Sequence, residues 1–155
     1  MKKFFIILAA ALSFCLTGCY SSSTDVIYSV TLSNTGEGGI SAISDKTREA
    51  YSNINKKLTA FSNEYCSEWI ETVENNKFSK KDDAAKSKFN TAVKAFESVK
   101  SECDAIVNSL PSSQYDAFAI CVTLEAKRYS DGEDHVLDSM DAKFVYGDFS
   151  SYITE

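Results

Sequence analysis

The chain has 155 residues, with 16 Lys and Arg against 22 Asp and Glu and a formal charge of −6. That length fits one domain with a single core. The acid excess argues against nucleic-acid recognition, which rests on basic patches, and against direct adhesion to anionic lipid surfaces.

At the N-terminus, Lys2 and Lys3 form a charged segment ahead of the apolar run Phe4 to Leu16. That run is shorter than the roughly 20 residues needed to cross a bilayer core, so it reads as an export signal. Small residues at Thr17 and Gly18 let a peptidase approach the backbone, and the thiol of Cys19 can be alkylated. Leu16-Thr17-Gly18-Cys19 resembles the lipobox of bacterial lipoproteins, a likeness confined to residues 1–19. The resemblance implies removal of residues 1–18 and a mature chain starting at Cys19 with a diacylglyceryl thioether and an N-acyl group. Such lipids, palmitate among them, form a membrane anchor and are the only non-protein groups expected; two or more chains hold it stably. Tyr20, where an Asp would favour inner-membrane retention, implies outer-membrane sorting. Two of the lysines and none of the acids lie in residues 1–18, so the mature charge is −8.

Residues 19–24 form the lipidated cysteine and a short polar tether, and residues 25–149 a single domain. From Asp25 to Ser33, Val26, Tyr28, Val30 and Leu32 alternate with Ile27, Ser29, Thr31 and Ser33, which predicts a strand with one buried face. Asn34 to Gly39 is glycine-rich. It lacks the Gly-Lys-Ser/Thr of a phosphate loop, and no β-α-β unit follows, so it reads as a plain connection. Apolar residues from Ile40 to Val73, Trp69 among them, recur at steps of three and four and predict one helix over about 41–75. Ser79 is a candidate cap for a second helix carrying Phe89, Val93, Phe96, Val99, Cys103 and Ile106, ended by Pro111. So short a connection predicts an antiparallel helical hairpin. Phe118, Ile120, Val122, Leu124 and Ala126 alternate along a long strand that ends at Asp131-Gly132, a strong hairpin turn. A last strand falls between Val136 and Tyr146, best supported at Phe144, Val145 and Tyr146, and 150–155 reads as a frayed tail.

The chemistry available to the mature chain is sparse. Cys66, Cys103 and Cys121 are expected to be free thiols: a Cys66–Cys103 bridge fails on their offset along the hairpin, and Cys121 points away from the helices. His135 is the single histidine. With residues 117–129 paired to 135–146, Cys121 faces residue 143 and lies roughly 26 Å from His135, so no Cys-His dyad forms. Asp131, Asp134 and His135 are weak metal candidates, and no spacing matches a known metal loop. No small-molecule ligand is evident.

The fold expected is α+β: an antiparallel sheet of about three strands, packed on one face by the helical hairpin, in the order β-α-α-β-β. The uncovered face, with Ile27, Thr31, Cys121, Thr123 and Tyr129, is small, moderately apolar and expected to be poor in charge, a candidate partner face. The functional expectation is a non-enzymatic, lipid-anchored envelope protein that binds a partner or supports an assembly. The other reading is a lipid-anchored inhibitor or immunity protein against a toxin or hydrolase.

Overall fold

The computed structural model describes residues 23–36 and 38–149. The lipobox and the tail from residue 150 lie outside the described residues. The elements are β1 (Ser23–Asn34), β2 (Gly39–Ser41), α1 (Asp45–Tyr65), β3 (Ser67–Glu74), α2 (Ser79–Asn108), β4 (Ala117–Ser130) and β5 (Glu133–Tyr146). The fold is α+β, and the tether loses Ser23 and Thr24 to β1.

All five strands join one antiparallel sheet. Laid side by side they run β5, β4, β1, β3, with β2 continuing the line of β1 along the same edge of β4. The expected alternation holds: Val26, Tyr28 and Val30 of β1 and Phe118, Ile120, Val122, Leu124 and Ala126 of β4 are all buried. The β4–β5 hairpin closes at Asp131-Gly132, where both residues take positive φ, 56° and 84°. That primed turn matches the twist of the flanking strands. Past β5, Gly147 (φ 67°) lies against β4, where a Cβ would collide with the Asp116 carbonyl.

Strand number and order depart from expectation. The helix expected over 41–75 is two elements: α1 ends at Tyr65, and Ser67–Glu74 crosses back as an edge strand paired with β1. Trp69, Ile70, Thr72 and Val73 suit a pleated surface better than a helix. The spacing Tyr65, Trp69, Val73 misleads because a step of four keeps one face in a strand as well. Asn75 and Asn76, at φ 54° and 52°, reverse the chain into α2, a conformation asparagine tolerates better than most residues. The helices are therefore joined through a strand and not by a hairpin turn. They still pack antiparallel, since Phe61 meets Phe96 at 5.0 Å between ring centroids while Lys57 reaches Glu102 at 2.6 Å. Ser79 does not cap α2: Phe78 occupies the cap position, and no side chain bonds the first amides.

Both helices cover the face of the sheet toward which the even-numbered residues of β1 and β4 point. The main core joins Ile54, Leu58 and Phe61 of α1, Phe89, Phe96 and Cys103 of α2, and Phe118, Leu124 and Phe144 of the sheet. A smaller core, Val26, Tyr28, Val73 and Ala85, lies where β1 begins.

Candidate functional site

The face that the helices leave uncovered can be read row by row from the strand registers. Ile70, Ile27, Tyr129 and Asp134 stand side by side across β3, β1, β4 and β5. Glu68, Ser29, Lys127 and Val136 form the next row, and Thr31, Glu125 and Ser139 the one after. Four large apolar side chains are therefore neighbours in water: Ile70 is 69% exposed, Val136 55%, Tyr129 46% and Ile27 37%. A hollow of about 380 Å³ opens among Ile27, Thr31, Glu68, Lys127, Tyr129 and Asp134.

The charge-poor face expected from the sequence is not what forms. Lys127 lies across it, 2.9 Å from Glu125 and 3.9 Å from Asp134. Its bond to Glu125, more than the nearby negative charge, raises the ammonium pKa above the ordinary lysine value. Farther along, the Thr123 hydroxyl donates to Asp141 at 2.6 Å. Glu125 and Lys127 share the odd-numbered parity of Thr123, so their outward position was readable. Glu68 could not be placed without knowing that β3 is a strand.

The other end of this face is closed. Cys121 is only 6% exposed and Ala119 4%, so the accessible thiol expected at Cys121 is covered. The chain beyond β5 folds back, laying Phe149 over Gly39 beside Ala119. Of the expected partner face, Ile27, Thr31 and Tyr129 come together around the hollow, while Thr123 and Cys121 lie toward the covered end.

None of Cys66, Cys103 and Cys121 is joined in a disulfide. Burial pushes Cys103 up to about 11 and raises Cys66, so both remain protonated and unreactive at neutral pH. Cys121 pairs across with Lys143 and His135 with Arg128, which keeps the two far apart on the hairpin. Asp131 and Asp134 are exposed on the turn. Among the described residues, no three His, Cys, Asp or Glu side chains could together hold a metal ion.

Two polar arrangements escaped the sequence reading. Asp116 is buried and accepts hydrogen bonds from the amides of Ile43 (2.8 Å) and Ser44 (3.2 Å) and from the Thr47 hydroxyl (2.8 Å). It satisfies the start of α1 from a distant part of the chain, and the Ile43 amide is the main cause holding its carboxyl below the usual range. No local signal could connect it to α1. In the smaller core, Arg128 bonds Asp82 at 2.7 Å while its guanidinium rests on Phe78 at 4.4 Å. Asp82 Oδ1, Arg128 Nε and Ser130 Oγ are buried without a hydrogen-bond partner, and the Tyr28 hydroxyl faces the Asp82 carboxylate short of a well-formed hydrogen bond. Burial first, and the neighbouring Asp82 charge second, push the Tyr28 phenol up to about 12.

No protein family, curated protein or solved structure matches this chain.

Proposed function

We propose that this protein is a lipid-anchored component of the bacterial cell envelope, held in the outer membrane through Cys19, that works by binding a protein partner and not by catalysis. The anchor rests on the lipobox resemblance. The binding role rests on one observation: the sheet face away from the helices carries Ile70, Ile27, Tyr129 and Val136 as neighbours, all exposed, beside a charged hollow. Apolar side chains grouped in water and rimmed by charge are characteristic of docking surfaces.

The test is a pull-down from detergent-solubilised envelope with the wild-type chain and with Ile70→Asp and Val136→Asp. Both positions are exposed, so the fold should survive the changes. A stable envelope partner captured by the wild type and lost by both variants is the expected result. A captured hydrolase or toxin would favour the inhibitor reading, and a partner retained by both variants would remove the face from the proposal. Cys19→Ala should yield a soluble or unprocessed chain that no longer incorporates labelled palmitate. Membrane association that persists with normal processing would overturn the anchor.

A further inference from the structure

The lipid anchor and the start of β1 are separated by a fixed length of chain. From Cys19 to Ser23 there are four residues, which span at most about 14 Å when fully extended. Whatever surrounds Ser23 must then lie close to the bilayer. Ser23, Thr24, Asp25 and Val26 pair with β3 alone, and pairing with β4 begins only at Ile27. The tether thus leaves the sheet on its β3 side, opposite Glu74 and next to the Asn75–Phe78 loop that opens α2.

The charge there differs from the rest of the molecule. Lys77, Lys80, Lys81 and Lys86 fall within one short segment of an otherwise acidic chain. Two neighbouring carboxylates are already engaged, Glu71 by Lys81 and Asp82 by Arg128, each at 2.7 Å. Glu74 and Asp83 are the remaining acids of that stretch, and Asp25 of β1, bonded by the Thr72 hydroxyl, lies beside it. Lys77 and Lys80 are exposed beside a hollow of about 550 Å³. The acidic turn with Asp131, Glu133 and Asp134 closes the same end of the sheet, on the opposite side of β1 from the Asn75–Phe78 loop.

We propose that the Asn75–Phe78 loop and the first turn of α2 form the surface that lies on the membrane, with Lys77 and Lys80 against lipid phosphates. This assignment rests on the lipoprotein reading. Net charge argues against adhesion of the molecule as a whole, and the position of these lysines makes a local exception: the anchor brings them to the lipid, where each contributes a short-range attraction. α2 then leads away from the bilayer. At 1.5 Å per residue its 30 residues run about 45 Å, from the Asp82–Arg128 pair to the hydrogen bond that the Tyr146 hydroxyl donates to the Pro111 carbonyl.

Lysine footprinting tests this on the native sequence. The full lipidated protein, reconstituted in phosphatidylcholine and phosphatidylglycerol vesicles, is treated with a membrane-impermeant amine-reactive ester. Rates at each lysine, read by mass spectrometry, are compared with those of Cys19→Ser protein mixed with the same vesicles. Lys77 and Lys80 should react several-fold more slowly in the anchored protein, while Lys46 and Lys94 are unchanged. Unaltered rates at Lys77 and Lys80, or a larger slowing at Lys46 or Lys94, would overturn the assignment and leave the anchor intact. An intact mass lacking acyl groups on Cys19 would instead overturn the lipoprotein reading, and the assignment with it.

Discussion

The two cores are built on different terms. The larger one joins Phe61, Phe89, Phe96, Phe118 and Phe144 with aliphatic side chains from both helices and the sheet, and apolar burial accounts for its cohesion. The smaller one, at the β1 start, surrounds Tyr28 with Val26, Val73 and Ala85 and holds the Arg128–Asp82 pair with several polar atoms left unpartnered. Buried polar atoms without partners lower stability, and a mostly buried ion pair is weak evidence of net stabilisation. By this reasoning the molecule should resist unfolding more where its helices overlap than where β1, β3 and the start of α2 meet.

Substitutions in the two cores should differ in their cost. Phe96→Ala, at a fully buried ring, should cost about 3–5 kcal/mol in chemical denaturation. A smaller loss would mean that the large core is not the dominant one. Arg128→Ala strips Asp82 of its ion pair and should cost about 1–3 kcal/mol.

Acid should act at a third place. Asp116 has a depressed carboxyl pKa in the folded chain, so its contribution is present above the unfolded carboxylate pKa and is lost as pH falls through the folded value. Asp116→Asn should lower the thermal midpoint at neutral pH and flatten its decline on acidification; an unchanged acid profile would remove Asp116 from the account. Tyr28 works in the opposite direction. Its folded pKa is raised to about 12, so stability is complete below the unfolded value near 10 and drains away as pH rises between the two. Tyr28→Phe removes a hydroxyl that faces the Asp82 carboxylate without a well-formed hydrogen bond, and should be near neutral at pH 7 while suppressing that alkaline loss. A loss above about 1 kcal/mol at pH 7 would show that the hydroxyl is satisfied after all. His135→Ala, near the hairpin turn, should stay within about 0.5 kcal/mol.

Much of this was legible in the sequence where signals are local. β4 and its turn follow from alternation and from Asp131-Gly132, and the inward parity of β1 from Val26, Tyr28 and Val30; the return strand was placed only between Val136 and Tyr146, and its start at Glu133 and the bulge opposite Ala126 were not readable. β3 was not legible, because Tyr65, Trp69 and Val73 satisfy helix and strand alike and only pairing with the distant β1 decides between them. β2, three residues long, carries no periodicity to read. On the open face Ile27, Thr31 and Tyr129 followed from parity. The burial of Cys121 did not, since alternation says which way a side chain points and not how far it will be covered.

The central position of β1 sets the order in which the sheet can be completed. In a chain made from its N-terminus, β1 emerges first and yet has no local partner: β3 must wait for all of α1, and β4 for all of α2. The β4–β5 hairpin, closed by its two-residue turn, can form as soon as it exists. Closing the Ile27–Tyr129 pairing spans most of the domain and is the slow, high-contact-order step. Until β3 is made β1 is an apolar strand with two unsatisfied edges, and until β4 docks it keeps one, which makes it the segment of the nascent protein most in need of protection from pairing with another copy.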